Sequence, residues 1–106
     1  MLKEKSAVYV PEGLPASNAA VTMVAEELSA MFGGATALAA GNNGFWLDSD
    51  DELVRDEITI VYAFHSESTQ RDFDRLRDLC TFLAYELNQD CISLEYAGML
   101  HFVEGR

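Results

Sequence analysis

Apolar residues recur along this chain with two periods, and the changes between them mark its elements. Val8, Tyr9 and Val10 favour extended backbone and predict a strand from Ala7 to Val10, ended by Pro11-Glu12-Gly13-Leu14-Pro15. Val21, Val24, Ala25, Leu28 and Phe32 then fall on one face at a 3.6-residue period, which predicts a helix. Ser17 is its expected N-cap and Gly33 its left-handed C-cap.

Thr36 and Leu38 alternate with alanines and predict a strand from Ala35 to Ala40. Gly41-Asn42-Asn43-Gly44 reads as a turn, Phe45-Trp46-Leu47 as resumed strand, and Asp48-Ser49-Asp50-Asp51-Glu52 as a polar reversal. The clearest strand runs from Leu53 to His65. Ile58, Ile60, Tyr62 and Phe64 face one way; Thr59, Val61, Ala63 and His65 face the other. Both sets are largely apolar, so each face calls for cover, by helices or by an oligomer contact. Phe73, Leu76, Leu79, Cys80, Leu83, Ala84 and Leu87 form the stripe of a second helix. Thr69 is its N-cap, Asp72 stands in a capping-box position, and Asn88 is the stop. Cys91 to Tyr96 and Met99 to Val103 read as strands joined by the tight turn Ala97-Gly98.

The order is β-α-β-β-α-β, with the second and last strands each elaborated into hairpins. It predicts one α+β domain over residues 1–106, a ferredoxin-like sandwich with two helices on one face of an antiparallel sheet.

Charge changes the picture of partners. There are 18 Asp+Glu against 7 Lys+Arg, a formal net charge of -11 in 106 residues. No basic residue lies between Lys5 and Arg55, or between Arg77 and Arg106. Such a surface opposes direct nucleic-acid and anionic-membrane binding and attracts basic partners. Arg71, Arg75 and Arg77 are the only clustered cations, and each has an Asp within a turn. The apolar stretches are too short to span a bilayer, and the lysines of the first residues precede no apolar run, so no signal peptide is expected. Cys80 and Cys91 fit free thiols in a reducing cytoplasm.

At Phe32-Gly33-Gly34-Ala35-Thr36 the chain resembles an uncharacterised family of small bacterial and mobile-element proteins. Their pattern continues with Gly-x-Trp, here Gly44-Phe45-Trp46, and a Glu before a Val-rich strand, here Glu57 before Ile58 to Tyr62. A Gln before the last strands corresponds to Gln89. The acidic loop Asp48 to Glu52 departs from the pattern. The resemblance implies one compact α/β domain and carries no activity. Gly33-Gly34 follows a helix rather than preceding one, so it reads as a helix-to-strand corner and not as a phosphate loop.

Candidate chemistry is sparse. Asp48, Asp50, Asp51 and Glu52, with Asp56 and Glu57 beyond, form a binding patch for a basic partner or a solvated turn. An EF-hand would need Gly and Glu where Leu53 and Thr59 stand. Trp46 beside Phe45 is a candidate partner-binding aromatic. His65, Cys91 and His101 are the catalytic candidates, with Cys91 as nucleophile near a histidine base, or His65 as a base beside Glu67. No Cys/His pair has metal-ligand spacing, so no metal or cofactor is expected.

The leading expectation is therefore a non-enzymatic protein-interaction module. It would be an inhibitor that binds a basic, nucleic-acid-binding surface as phage or plasmid anti-defence proteins do, or a homodimer through the sheet. The alternative is a small enzyme of the dimeric ferredoxin-like type using His65, Cys91 or His101. A ligand-sensing domain with its site at a dimer interface near Gly41 to Gly44 belongs to the same alternative.

Overall fold

In the computed structural model, which describes residues 1–39 and 41–105, the β-α-β-β-α-β order is realised. β1 (Glu4–Pro11) extends three residues before the predicted start, because its partner β4 (Leu53–His65) is long enough to pair with all of it. α1 (Ser17–Phe32) stops at Gly33, whose φ of 95° and N–H to Ser29 C=O bond make the expected left-handed cap. Ser17 is not the N-cap. It is the first helical residue and buried; its hydroxyl donates to Pro11 C=O at 2.7 Å and accepts from Leu14 N–H at 3.0 Å. It ties the β1–α1 loop together instead of satisfying the helix.

The predicted hairpin on the second strand is not formed. β2 (Thr36–Leu38) and β3 (Asn43–Leu47) both pair with β4, one after the other. From Leu38 to Asn43 the chain advances five residues while β4 advances three, Ile60 to Glu57. The extra length bulges out at Gly41, with φ of 78°, and Asn42. Asn43 and Gly44 therefore lie in β3, and the hairpin is β3–β4, closed over Asp48 to Glu52. Ala40, expected in the second strand, lies outside the described residues.

α2 (Gln70–Glu86) begins at Thr69, whose side chain accepts Asp72 N–H at 3.1 Å. The reciprocal half of a capping box belongs to Tyr96, not Asp72. The Tyr96 hydroxyl accepts Thr69 N–H at 2.8 Å and donates to Thr69 C=O at 3.0 Å. This joins the helix start to β5 (Cys91–Tyr96). Ala97 and Gly98, both at positive φ, turn β5 into β6 (Met99–Glu104), as predicted.

The sheet is antiparallel throughout, in the order β2-β4-β1-β5-β6, with β3 continuing alongside β4. Both helices cover one face. Val8, Val10, Val61, Ala63, Ile92, Leu94 and Val103 from the sheet meet Val24, Leu28, Leu76, Cys80 and Leu83 from the helices in a single core. Burying each Leu or Ile contributes about 1.5–3 kcal/mol. The Thr59/Val61/Ala63/His65 set faces this core, so the Ile58/Ile60/Tyr62/Phe64 set faces the helix-free side. No described helix is long and apolar enough to cross a membrane.

Candidate functional site

Register decides what shares the open face. One row across the sheet reads Thr36, Tyr62, Ala7, Glu95 and Leu100; the next reads Leu38, Ile60, Tyr9, Ser93 and Phe102. Phe64 and Lys5 face each other just beyond the first row. Most of this surface is apolar and uncovered, with Phe64 at 48% and Phe102 at 68% exposure.

Polar chemistry gathers at one place on it. Ala7 contributes only a methyl group and is fully buried by its larger neighbours. Around it, the Tyr9 hydroxyl donates to Glu95 Oε1 at 3.0 Å, and Lys5 Nζ lies 3.8 Å from the same oxygen. That ammonium also sits 5.7 Å from the Tyr62 ring centre, a cation–π distance. The result is a cluster of a carboxylate, an ammonium and two phenol rings that closes over Ala7. Burial pushes the Tyr9 hydroxyl above its ordinary pKa, and the hydrogen bond and negative charge of Glu95 push it further. Tyr9 therefore serves as a hydrogen-bond donor at neutral pH. Glu95 keeps lone pairs free to accept from a cationic or N–H-bearing ligand.

Sequence reasoning missed Lys5, Tyr9 and Glu95. A local signal existed: Glu95 is a charged residue at an outward position of the alternation in which Ile92, Leu94 and Tyr96 face inward. Its partner Tyr9, however, is 86 residues away, and only the β1–β5 register joins them.

The predicted catalytic residues are not brought together. His65 faces the core at 5% exposure, stacked on Phe32 at 4.2 Å and near Tyr96 at 5.7 Å. Its Nδ1 lies 2.6 Å from Glu67 C=O, which can only accept, so Nδ1 carries the hydrogen. Its Nε2 is 2.8 Å from Ser6 Oγ. The pair looks like a nucleophile and its base, but Ser6 is fully buried under the helices and no substrate can reach it. His65 pins the end of β4 to β1 and to the following loop. His101 also lies on the helix side, 4.7 Å from the Phe73 ring, in an open groove between α2 and β6. Cys91 faces the opposite side of the sheet from both histidines. Its thiol is pushed upward in pKa by burial and by Asp90 and Glu104, which opposes thiolate formation. Cys80 is a core residue whose thiol burial raises to about 12.

The acidic residues form the tip and base of the β3–β4 ribbon. Asp48 Oδ1 accepts Asp50 N–H at 2.8 Å and Glu52 N–H at 3.0 Å, so part of this patch serves the turn itself. Trp46 is half exposed, and its indole N–H donates to Asp56 Oδ2 at 2.8 Å. Glu57 sits where the ribbon meets the body, and its carbonyl accepts Glu12 N–H. Among the described residues no three His, Cys, Asp or Glu gather closely enough to hold a metal ion.

No family model and no curated protein matches the chain. Its fold does match solved structures. A phage SAM lyase in complex with S-methyl-5'-thioadenosine superposes with a TM-score of 0.64 at 12% identity, over 96% of this chain and 89% of the other. A phage SAM lyase in the apo state gives 0.63 at 12% identity, over 99% and 91%. At that identity the likeness is one of fold, and the ferredoxin-like arrangement is shared end to end. These neighbours are enzymes, and they overturn the expectation of a non-enzymatic inhibitor. The alternative, a small enzyme of the ferredoxin-like type, is the reading they favour.

Proposed function

We propose that this chain is a small lyase acting on a sulfonium nucleoside of the S-adenosylmethionine class, on the open sheet face around Ala7. The end-to-end likeness to a phage SAM lyase is the observation that carries the reading. The Lys5, Tyr9, Tyr62 and Glu95 cluster supports it independently by its chemistry. A sulfonium centre with an amino-acid tail is a cation that also bears an ammonium and a carboxylate. Glu95 suits the positive groups, Lys5 the carboxylate, and the rings of Tyr62 and Tyr9 suit a sulfonium or an adenine face. The net charge of -11 steers such a cation inward.

Cleavage without water or a redox partner breaks the bond between sulfur and the amino-acid side-chain carbon. The electron pair stays on sulfur, which becomes a neutral thioether, S-methyl-5'-thioadenosine. The carbon is taken by the substrate's own carboxylate oxygen, closing a ring, or a neighbouring proton is lost and a double bond forms. In the ring-closing route opposite charges cancel as the transition state forms. A partly desolvated apolar face therefore helps, and no protein nucleophile is needed. In the alkene route Glu95 is the base in reach. The free thiols of Cys80 and Cys91 suit a cytoplasmic setting.

The test is incubation of purified protein with S-adenosylmethionine, with chromatography for S-methyl-5'-thioadenosine. Amide NMR shifts on titrating that product locate the site. Shifts centred on β1, β4 and β5 around Ala7 are expected. Neither binding nor cleavage, or shifts confined to the α2–β6 groove, would overturn the assignment.

A further inference from the structure

Each end of the sheet is a row of backbone groups with no neighbouring strand, and the two ends differ. One is broken into β2 and β3 by the bulge at Gly41, so it offers no continuous template. The other is β6. Its register against β5 runs unbroken from Met99 to Glu104, and its sequence holds no Pro and no Lys, the usual guards of an edge. Among the described residues β6 pairs with β5 alone. The tight turn Ala97-Gly98 makes Tyr96 and Met99 a hydrogen-bonded pair, and bonded pairs alternate from there. Met99, His101 and Val103 therefore bond to β5. Leu100, Phe102 and Glu104 turn their N–H and C=O groups outward.

A groove of about 380 Å³ runs along this edge between β6 and α2. Phe73, Arg77 and Thr81 line it from the helix at four-residue spacing, and His101 packs its ring 4.7 Å from Phe73. A free strand edge beside a helix is the geometry that takes up an extended peptide by strand addition. Charge selects the peptide. Arg77, the one cation of the groove, is already held by Asp74 at 3.2 Å and Asp78 at 3.4 Å. Glu104 is exposed on the edge itself, and the chain as a whole carries -11. We propose that the outer edge of β6 accepts, as an added strand, an extended segment of another protein in which basic and apolar residues alternate. Its apolar side chains enter the groove over the Phe73 ring. Its alternate lysines or arginines meet Glu104 on the other side of the strand. Like charge disfavours a second copy of this chain at the same edge. The inference does not rest on the lyase reading.

The experiment is amide NMR with hydrogen exchange on the full chain, titrated with an end-blocked peptide alternating lysine and valine. A peptide alternating glutamate and valine is the control. The expected result is an alternating pattern. The amides of Leu100, Phe102 and Glu104 shift and exchange about tenfold more slowly, while His101 and Val103, already bonded to β5, change little. The glutamate peptide leaves all of them unchanged, and salt loosens the lysine peptide. Phe102→Pro removes an outward N–H without touching the β5 ladder and should abolish the pattern, with circular dichroism as the check on folding. Glu104→Lys keeps the backbone and should weaken the lysine peptide about tenfold relative to the parent chain. Amides of β6 that stay unchanged at millimolar lysine peptide would overturn the proposal. So would equal binding of the glutamate peptide, changes confined to Asp48 to Glu52, or protection of β6 that grows with protein concentration alone. The titration of the parent chain needs no variant, so a variant that fails to fold does not remove the test.

Discussion

Replacing Glu95 by Gln keeps the shape of the open-face cluster and removes its one anion. The side chain is only 25% exposed, and it holds both the Tyr9 hydroxyl and the Lys5 ammonium. For a substrate cation about 5 Å from the carboxylate, Coulomb attraction is worth about 3 kcal/mol at an effective dielectric of about 20 and about 1 kcal/mol in water. Glu95→Gln is therefore expected to lower kcat/KM for S-adenosylmethionine about 5- to 150-fold, with the larger values at low salt. A second consequence is independent of activity. The hydrogen bond and charge of Glu95 both raise the Tyr9 pKa, so the variant moves it downward, while burial keeps it above the ordinary tyrosine value. Titration of tyrosinate absorbance near 295 nm, with Tyr9→Phe to assign the signal, reads that shift. An unchanged kcat/KM together with an unchanged Tyr9 titration would refute the reasoning, because the carboxylate would then face neither the substrate nor the phenol.

The remaining predictions concern the frame that carries the cluster. Cys80 has its folded pKa raised from 9.0 to about 12. The unfolded chain thus gives up its proton first, and stability present below pH 9 falls by about 1.4 kcal/mol per pH unit above it. Urea unfolding at pH 8, 9.5 and 10.5 checks this, and a flat profile contradicts it. In the same range the folded protein should show a thiol reagent only Cys91, with Cys80 labelled at the rate of unfolding. Thr69→Ala removes the hydroxyl that accepts Asp72 N–H, at a cost of about 1 kcal/mol and about 4–5 °C in Tm; a change below 1 °C in a melting curve would say the cap is idle. Leu28→Ala, at a fully buried position, should destabilise by about 2–5 kcal/mol in urea titration.

Local chemistry made most elements legible. The stripe from Phe73 to Leu87, the Thr69 cap, the Gly33 stop and the Ala97-Gly98 turn each depend on neighbours within a few residues. What stayed hidden depends on register. Whether Gly41 to Gly44 is a hairpin turn or a bulge is decided by where Leu38 and Asn43 meet β4, not by the glycines. Ser17 has the right chemistry for an N-cap, yet Pro11 C=O and Leu14 N–H occupy it. His65, Cys91 and His101 alternate on their strands as expected, but strand pairing puts Cys91 on one face and both histidines on the other. The cluster over Ala7 draws Lys5, Tyr9, Tyr62 and Glu95 from three strands far apart in the chain, and no local pattern announces it. Net charge, by contrast, was visible at once. It pointed to a positively charged partner, the class to which the proposed sulfonium substrate belongs.

The central claim is the lyase activity. Its most direct measurement is a mass-spectrometric time course of S-adenosylmethionine with the purified chain, against Glu95→Gln and a no-protein control. The account predicts S-methyl-5'-thioadenosine and an equimolar four-carbon amino-acid fragment, formed faster than in the control and slowed by the substitution. S-adenosylmethionine that disappears no faster than in the control, under conditions where the chain is folded, would contradict it.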